Sequence, residues 1–474
     1  MSEQQYNYGM VGLGTMGCNL VLNMSDKGFS VAGYDKDPKK VETLNSLDVH
    51  DNIEAYNDIN AFVQALQTPR TILLLVPAGP IVDAVINELK PLLQAEDIII
   101  DCGNSHFTDT QTRIDALAKE GLHFMGLGVS GGETGARFGP SIMPGGDLKA
   151  YNRISAMLDA VAAKVNGEPC TAYMGKGASG HYVKMVHNGI EYALMQLLAE
   201  TYHILKVHGG LSNEELHTTF ESWNKGRLQS FLVEITAAVF TQPDEEGKGM
   251  LIDFIADTAH QKGTGAWMSQ DAMRIQSPIP AIDAAVTQRI LSSLKQQRVV
   301  AARFFNKENV VEEAPNKETL ILDVEAALYT SFIITYAQGL AMLQQASSTY
   351  KYETDIAVVA SIWRGGCIIR AALLKEITEA FRKDDKLANL MLAEEFSEQV
   401  KTGSIALRRV LQKGLQYAIP LPGFSACLNY YDSYFSEWLP ANLIQAQRDF
   451  FGAHTYERTD KEGTFHTNWN QTIY

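Results

Sequence analysis

The segment YGMVGLGTMG (8–17) constrains the fold of this chain most strongly. An apolar, strand-like run leads directly into GxGxxG, and a helix-like segment follows. Gly12 permits a tight turn, Gly14 lets the backbone approach a pyrophosphate, and Gly17 allows close packing of helix on strand. The alternative is a glycine-rich turn without a ligand. The predicted cofactor-binding residues in this segment are Gly12, Leu13, Gly14, Thr15, Met16 and Gly17.

An acidic residue ends the second predicted strand, FSVAGYD. Asp35 stands where a carboxylate commonly accepts hydrogen bonds from the adenosine ribose, and its charge favours NAD because it would repel a 2′-phosphate. Lys36, Lys39 and Lys40 could compensate for that charge. The neighbouring Asp37 is also suited to cap the next helix. Asp35, Lys36 and Asp37 therefore join the predicted cofactor site, with NADP or NAD as the cofactor.

Strand and helix patterns alternate as far as residue 177, and several strands are continuously apolar. This pattern predicts an α/β, Rossmann-type, doubly wound domain over residues 1–177, with a parallel sheet that binds ligands at the carboxyl ends of its strands. The turn after TILLL and the turn in DCGNS both fall at that edge. They add Val76, Pro77, Ala78 and Asn104 to the predicted cofactor-binding residues.

The glycine-rich segment GVSGGETGARFGPSIMPGG (128–146) falls at the same edge. Successive backbone NH groups at Ser130, Gly131 and Gly132 could form a nest for an anion such as a carboxylate. A plain turn is the competing interpretation.

Long amphipathic patterns dominate residues 178–438 and predict a large all-α domain. Trp223 and Trp363 begin similar segments, WNKGRLQSFLVEIT and WRGGCIIRAALLKEIT, which suggests an internal duplication. Residues 439–474 form a short aromatic tail that is too small for its own core, so we expect it to pack on another surface.

The helix-like segment HYVKMVHNGIEY (181–192) carries polar groups at the spacing that helices usually reserve for apolar residues. Lys184, His187, Asn188, Glu191 and Tyr192 share an arc of about 140° at 3.6 residues per turn. An apolar stripe on the other side leaves this face free for a ligand; its members are Val183, Val186, Ile190, Leu194 and Leu197. The alternative is a solvated face that carries a Lys/Glu pair.

Composition narrows the class of partner. A formal net charge of −15 disfavours nucleic acid, although an anionic small molecule could bind where cations converge. Five scattered cysteines without metal-ligand spacing predict free thiols in a reducing cytoplasm and no metal site. The N-terminus lacks a signal-peptide pattern, and no apolar run suggests a membrane span. The candidate cations for a phosphate ester are Lys262, Arg289, Lys295, Arg298, Arg448 and His454.

Several motifs together resemble one family in order and at family-like intervals. They are IIIDCGNS, GVSGGETGARFGPSIMPGG, GHYVKMVHNGIEY, HQKGTGAW, LSSLK, IWRGGCIIR and LIQAQRDFFGAHTYE. They resemble the motifs of the decarboxylating 6-phosphogluconate dehydrogenases, which belong to the β-hydroxyacid dehydrogenase superfamily and serve the pentose phosphate pathway and gluconate utilization. The alternatives are another β-hydroxyacid dehydrogenase, or a nucleotide-binding scaffold without catalysis.

The resemblance implies catalytic roles. Lys184 would be the general base for the 3-hydroxyl of 6-phosphogluconate, and Glu191 would be the acid that protonates C1 after CO2 is lost. We expect burial and neighbouring cationic groups to lower the pKa of Lys184. His187, Asn188 and Asn104 would hold substrate hydroxyls, and the 130–132 turn would hold the carboxylate. The implied phosphate ligands are Tyr192, Lys262, Arg289, Arg448 and His454.

The resemblance also implies a cytoplasmic homodimer in which the tail supplies Arg448 and His454 to the partner's site. It implies no metal. The cofactor segment departs from the family pattern, because Asp35, Lys36 and Asp37 replace the usual Asn-Arg-Ser/Thr, and Pro77 replaces a frequent Lys. NADP is the family default, whereas this departure favours NAD or dual use.

Overall fold

A computed structural model describes residues 5–47, 52–261, 263–304 and 316–469. The chain divides into two compact units, Met1–Cys427 and Leu428–Tyr474. The limits of the three predicted segments and the suggested duplication stay predictions.

A seven-stranded sheet organises the first part of the chain in the order β3-β2-β1-β4-β5-β6-β7. All neighbouring strands are parallel except β7, which runs antiparallel to β6. The strands are β1 (Tyr8–Val11), β2 (Val31–Tyr34), β3 (Ile53–Tyr56), β4 (Thr71–Leu74), β5 (Ile98–Asp101), β6 (His123–Ser130) and β7 (Ser141–Gly145). The doubly wound fold predicted from the alternating pattern is confirmed.

Helices cover both faces of this sheet, so its central strands are apolar throughout. Alternate residues of a strand point to opposite faces, and Ile98 and Ile100 join one apolar cluster whereas Ile99 joins another. The intervening helices are α1 (Thr15–Asp26), α2 (Pro38–Asn45), α3 (Ile59–Gln64), α4 (Pro80–Leu89), α5 (Phe107–Ala118), α6 (Gly132–Phe138) and α7 (Leu148–Val161). A two-stranded hairpin follows, formed by β8 (Lys164–Val165) and β9 (Glu168–Pro169).

The described residues after this hairpin are mainly helical, which confirms the predicted helical region, and a second small hairpin lies near the end. The helices are α8 (Ser179–Val207), α9 (Asn213–Trp223), α10 (Phe231–Val239), α11 (Thr264–Arg274), α12 (Pro280–Ser293), α13 (Lys295–Phe304), α14 (Lys317–Tyr350), α15 (Ile356–Ile362), α16 (Leu373–Lys383), α17 (Glu394–Gln416), α18 (Pro422–Tyr434) and α19 (Ala441–Gly452). The hairpin pairs β10 (Tyr456–Glu457) with β11 (Thr464–Phe465). Single 3₁₀ turns lie at Lys90–Leu92, Leu251–Asp253 and Leu390–Leu392.

Helix α14 is long and apolar enough to cross a membrane by length and composition, although the sequence analysis predicted no membrane span. In the structure 72% of its most apolar window is buried, and it packs against α8 and α17. A core helix of a folded protein passes the same test of length and composition.

Helix α8 lies unusually close to the edge of the sheet, and two glycines make this possible. A Cβ atom at Gly180 would lie 2.2 Å from the carbonyl oxygen of Gly126 on β6. A Cβ atom at Gly128 would lie 2.4 Å from the Cβ of Lys184. Any larger side chain would push α8 away, so these glycines set the distance between Lys184 and the carboxyl end of β6.

Helix α8 also carries a buried carboxylate far from that edge. Glu200 is 3% exposed and accepts hydrogen bonds from the backbone NH groups of Gly423 (2.7 Å) and Phe424 (3.0 Å) and from Gln196 Nε2 (2.9 Å). Burial raises the pKa of Glu200 to about 7, although these three hydrogen bonds oppose the shift. The carboxyl group therefore links α8 to the first turn of α18. Its ionisation near neutral pH lowers the free energy of unfolding, because the charged form is buried.

This ionisation predicts a pH-dependent stability. Because the pKa is raised in the fold, the free energy of unfolding falls as pH rises from the unfolded value of 4.5 to about 7. At about 1.4 kcal/mol per pKa unit, the loss approaches about 3 kcal/mol. We expect Glu200→Gln to remove this loss in urea unfolding at about pH 5 and about pH 8. The exposed Glu234→Gln is the control, and an unchanged pH dependence in Glu200→Gln would contradict the prediction.

Candidate active site

The glycine-rich turn after β1 has the geometry of a dinucleotide site. Gly12 has φ 98°, and a Cβ atom at Gly17 would lie 1.9 Å from the Gly12 carbonyl oxygen. A Cβ atom at Gly14 would meet no atom within 4 Å, so open space lies over the start of α1. The turn can therefore admit a pyrophosphate at a helix N-terminus, and Thr15 and Met16 begin that helix.

Asp35 lies beside this turn and is already engaged by the chain. Its carboxylate accepts hydrogen bonds from the backbone NH groups of Leu13 (2.9 Å) and Asp37 (3.0 Å), and Lys40 Nζ lies 3.2 Å away. Burial alone would raise the pKa of Asp35, but these three donors lower it below its ordinary value. Asp35 is thus a charged acceptor with one cation beside it.

The other charged residues of this segment divide between two roles. Asp37 caps α2 by accepting a hydrogen bond from the backbone NH of Lys39, as predicted. Lys36 pairs with Glu88 of α4 at 2.5 Å. Glu88 is 52 residues away in the chain, so no local pattern predicts this pairing. Lys40 is therefore the lysine that faces Asp35.

Two more turns of the sheet edge adjoin the glycine-rich turn. A Cβ atom at Gly12 would lie 3.0 Å from Val76 Cγ1, and one at Gly103 would lie 3.2 Å from the Val76 carbonyl oxygen. Pro77 and Ala78 follow as exposed residues. The turns after β1, β4 and β5 thus meet at one edge of the sheet.

A small, open cleft lies between this edge and the helical region. It brings together Asn104, Lys184 and Asn188, three predicted site residues. The other lining residues are Ser105, Phe107, His181, Met185, Thr264 and Trp267, which the sequence reasoning did not select. His181 could have been found, because it precedes Lys184 by three residues on the same helix. Trp267 could not, because its place beside the cleft depends on the packing of α11.

Hydrogen bonds connect the predicted polar face of α8. Lys184 Nζ lies 3.5 Å from His187 Nδ1, which lies 3.2 Å from Asn188 Oδ1. On the other side of the ring, His187 Nε2 lies 3.3 Å from Ser130 Oγ at the end of β6. Lys184, His187, Asn188 and Ser130 are all buried. The interpretation of this face as solvated surface is therefore wrong.

Burial tunes the titratable groups of this face. It lowers the pKa of Lys184, whereas Glu191 and Cys367 raise it. Burial is the cause that lowers this pKa among the described residues, and the expected contribution of neighbouring cations stays a prediction. Burial, followed by the charge of Lys184, lowers the pKa of His187 well below its ordinary value. Burial raises the pKa of Glu191 against the opposing effects of Lys184 and Arg289. Burial thus shifts the amine of Lys184 towards its neutral form and the carboxyl group of Glu191 towards its protonated form.

A cation lies at the far end of the same face. The guanidinium carbon of Arg289 is 3.4 Å from the centre of the Tyr192 ring. Arg289 Nη1 also lies 3.5 Å from the carbonyl oxygen of His260, which precedes α11. The fold thus joins two predicted phosphate ligands, Tyr192 and Arg289. Lys262 lies outside the described residues.

The turn after β6 provides backbone NH groups beside His187. Gly131 and Gly132 both have positive φ, 109° and 62°, and Gly132 begins α6. A Cβ atom at Gly131 would lie 2.6 Å from the Gly366 carbonyl oxygen, so the loop after α15 packs directly against this turn. This contact fixes the turn that was predicted to hold a carboxylate.

Arg448 and His454 belong to the second compact unit. Arg448 Nη1 donates to Gln445 Oε1 at 3.1 Å, and the Phe451 and His454 rings contact edge to face with centres 5.8 Å apart. They stay predicted phosphate ligands.

Metal ligands do not cluster in the part of the chain that the structure describes. No group of three or more His, Cys, Asp or Glu side chains there could hold a metal ion. The five cysteines are free thiols.

Two family models match this chain in succession. The NAD binding domain of 6-phosphogluconate dehydrogenase matches residues 7–175, and the 6-phosphogluconate dehydrogenase C-terminal domain matches residues 180–469. The chain belongs to the 6-phosphogluconate dehydrogenase family.

Relatives of this family match over nearly the whole chain. The NADP(+)-dependent, decarboxylating 6-phosphogluconate dehydrogenase of Bacillus subtilis is 50% identical over 99% of this chain and 100% of its own. The decarboxylating 6-phosphogluconate dehydrogenase of Escherichia coli is 48% identical over the same shares. The solved Plasmodium falciparum 6-phosphogluconate dehydrogenase is 40% identical, with a TM-score of 0.95 over 98% of this chain and 100% of its own. That enzyme was described in its apo form and in complexes with NADP+ and with 6-phosphogluconate.

Proposed function

We propose that this protein catalyses the oxidative decarboxylation of 6-phospho-D-gluconate to D-ribulose 5-phosphate and CO2, with reduction of NADP or NAD. The observation that carries the proposal is the buried Lys184, whose pKa is lowered and which shares one cleft with Asn104 and Asn188. A buried amine whose pKa is lowered, in a cleft beside a dinucleotide turn, is equipped to remove a hydroxyl proton. The activity belongs to the pentose phosphate pathway, and we infer a cytoplasmic protein.

Lys184 and Glu191 act in succession in this proposal. Lys184 removes the proton of the 3-hydroxyl, and bound NAD(P)+ supplies the acceptor for the hydride that leaves C3. The resulting 3-keto acid loses CO2 while the Lys184 ammonium donates a proton to the carbonyl oxygen, which forms an enediol. Glu191 then protonates the carbon that has lost CO2, C2 of the substrate, which becomes C1 of the ketose. The two residues act on neighbouring substrate carbons, C3 and C2, and approach them from positions about 10 Å apart along the helix axis.

Neighbouring groups orient the substrate. His187, Asn188 and Asn104 hold hydroxyl groups, because they surround Lys184 and offer both donors and acceptors. The backbone NH groups of the 130–132 turn hold the carboxylate. The phosphate is bound by Tyr192, Lys262, Arg289, Arg448 and His454.

The tail completes the site of a neighbouring subunit in this proposal. We infer a homodimer in which each tail, residues 439–474, supplies Arg448 and His454 to the partner's phosphate site. The tail has several large exposed apolar side chains, which a subunit contact would cover. They are Trp438, just before it, and Leu439, Leu443, Ile444, Phe450 and Phe451 within it.

The nicotinamide cofactor is NADP or NAD, and we infer dual use. The Bacillus subtilis relative supports NADP by its name. Asp35 supports NAD, because its carboxylate would lie near the ribose and repel a 2′-phosphate. Lys40, 3.2 Å from that carboxylate, offsets part of the repulsion.

Replacing the charge of Asp35 tests dual use. We expect Asp35→Asn to raise the ratio of kcat/KM for NADP to that for NAD by about tenfold, because roughly 1.4 kcal/mol of repulsion is removed. Asp58→Asn is a matched control, since Asp58 caps α3 and Asn caps equally well. Wild-type steady-state kinetics with both cofactors come first. Activity with one cofactor alone would exclude dual use, and an unchanged ratio in Asp35→Asn would contradict the role of its charge.

The reaction itself is tested with two acids. We expect reduced cofactor to form with 6-phosphogluconate and not with 3-hydroxyisobutyrate, which lacks the phosphate that Arg289 and the tail would bind. Ribulose 5-phosphate and CO2 must appear in equal amounts with the reduced cofactor. No reduction with the phosphorylated acid would overturn the proposal.

A further inference from the structure

Asp449, on helix α19, organises the second compact unit around a single buried carboxylate. It is fully buried. Oδ1 accepts hydrogen bonds from the Thr455 backbone NH (2.9 Å) and His466 Nδ1 (2.8 Å). Oδ2 accepts from the Thr467 backbone NH (3.0 Å) and Trp469 Nε1 (2.9 Å). One side chain thus ties the end of α19 to the turn that follows it and to the last described residues.

The turn held by Asp449 has an unfavourable backbone conformation. Ala453 and Thr455 have positive φ angles of 49° and 62°. Non-glycine residues rarely adopt this region, and a β-branched residue such as Thr is disfavoured there most of all. Such a turn persists only where surrounding contacts fix it. His454 lies between these two residues, so its direction depends on contacts such as the bond from the Thr455 NH to Asp449.

A second set of bonds couples this turn to Arg448. Gln445 Oε1 accepts from Arg448 Nη1 at 3.1 Å, and Gln445 Nε2 donates to the Thr455 carbonyl oxygen at 2.6 Å. Thr455 is therefore held through its NH by Asp449 and through its carbonyl by Gln445. Arg448 and His454 are fixed relative to one another through the same residue.

The charge of Asp449 is satisfied without Arg448. Burial alone would raise the pKa of Asp449, but the hydrogen bonds from His466, Thr467, Trp469 and Thr455 lower it. Among the described hydrogen bonds and ion pairs of Asp449, none goes to Arg448. The Arg448 guanidinium is therefore not paired with the carboxylate of Asp449, its neighbour in sequence, and can bind an anion.

We propose that Asp449 is a positioning residue that presents Arg448 and His454 as one preformed phosphate-binding pair to the partner subunit. This inference rests on the proposed function, in which those two residues bind the substrate phosphate. Asp449 itself does not touch the substrate. Its carboxylate fixes the strained turn, and a fixed turn lowers the ordering cost of binding the phosphate.

The first test is a split between KM and kcat. Asp449→Asn keeps the size of the side chain but replaces one acceptor oxygen by an amide donor, which faces NH donors. We expect KM for 6-phosphogluconate to rise roughly tenfold, as a misplaced positioning contact predicts. We expect kcat, and KM for the nicotinamide cofactor, to change less than about twofold. An unchanged KM for 6-phosphogluconate, or an equal fall in kcat, would overturn the inference.

Two further variants secure this result. Asp460→Asn is the matched control, since Asp460 is exposed in the same unit and pairs with Arg458. Its kinetics should equal the wild type. Trp469→Phe removes one donor to Asp449 and leaves the carboxylate, so it serves if Asp449→Asn does not fold. We expect an intermediate rise in KM from Trp469→Phe, and no rise would count against the inference.

Mixed dimers separate a role in the partner's site from a role in the residue's own subunit. We would combine subunits bearing Lys184→Met with subunits bearing Asp449→Asn and purify the mixed dimer by two affinity tags. Its one competent site joins Lys184 from one subunit to an intact tail from the other. We expect a wild-type KM for 6-phosphogluconate at about half the wild-type kcat per dimer. A KM equal to that of the Asp449→Asn homodimer would overturn presentation to the partner, whereas an inactive wild-type protein would overturn the proposed function instead.

Discussion

Lys184→Met should lower kcat by about 10⁴-fold, the upper range for loss of a general base. Met fills nearly the same volume but cannot remove a proton from the 3-hydroxyl. Because hydride leaves C3 only as that proton departs, reduced cofactor should form more slowly by the same factor. The cleft should otherwise persist, since Met suits a buried site better than an amine whose pKa burial already lowers.

The decisive measurements are stopped-flow formation of reduced cofactor and calorimetric binding of 6-phosphogluconate. We expect the binding constant to change by less than about fivefold, since Asn104, Asn188 and Arg289 remain. Lys206→Met is the control on the same helix. Lys206 lies near the end of α8, and its Nζ donates to Asn213 Oδ1 at 2.8 Å. Near-native turnover in Lys184→Met would contradict the base assignment.

Glu191→Gln should lower kcat by about 10²- to 10³-fold, because an amide cannot protonate C1 of the enediol. The substitution should slow a step that follows hydride transfer, so we expect a burst of reduced cofactor followed by slow turnover. The variant should also shift the pH dependence of the burst rate. Glu191 raises the pKa of Lys184, so its removal lowers that pKa and moves the acid limb of the profile to lower pH.

Rapid mixing over a pH series measures both effects together. Glu234→Gln, on α10, is the control for loss of a carboxylate elsewhere. A steady-state rate equal to the wild type would exclude Glu191 as the C1 acid. A burst that disappears along with turnover would place its action at or before hydride transfer.

Local patterns predicted the elements of this protein well. The GLGTMG segment predicted a turn at Gly12 and a helix after it, because glycine spacing and the following helix are encoded within ten residues. The spacing of Lys184, His187, Asn188 and Glu191 predicted one helix face, because helical periodicity is local. The change from alternating strands to long helices near residue 177 predicted the fold class for the same reason.

Contacts between distant segments decided the rest. Lys36 pairs with Glu88, and Trp267 lines the cleft. Both contacts depend on packing between distant segments, which local sequence patterns do not predict. The pKa of Lys184 falls because burial of α8 removes water from the amine. Burial depends on what the whole fold places around a residue, so it is a tertiary property.

The sequence by itself determined which chemical groups this protein carries and which of them share a helix or a strand end. Only the tertiary structure decided how deeply these groups are buried and which hydrogen-bond partners they have. The fold buries the polar face of α8 and gives the Asp35 carboxylate hydrogen bonds from Leu13 and Lys40. It also brings four hydrogen-bond donors to the Asp449 carboxylate. The physical reason is that periodicity and turn chemistry act over a few residues, whereas desolvation and hydrogen-bond partners come from segments far apart in the chain.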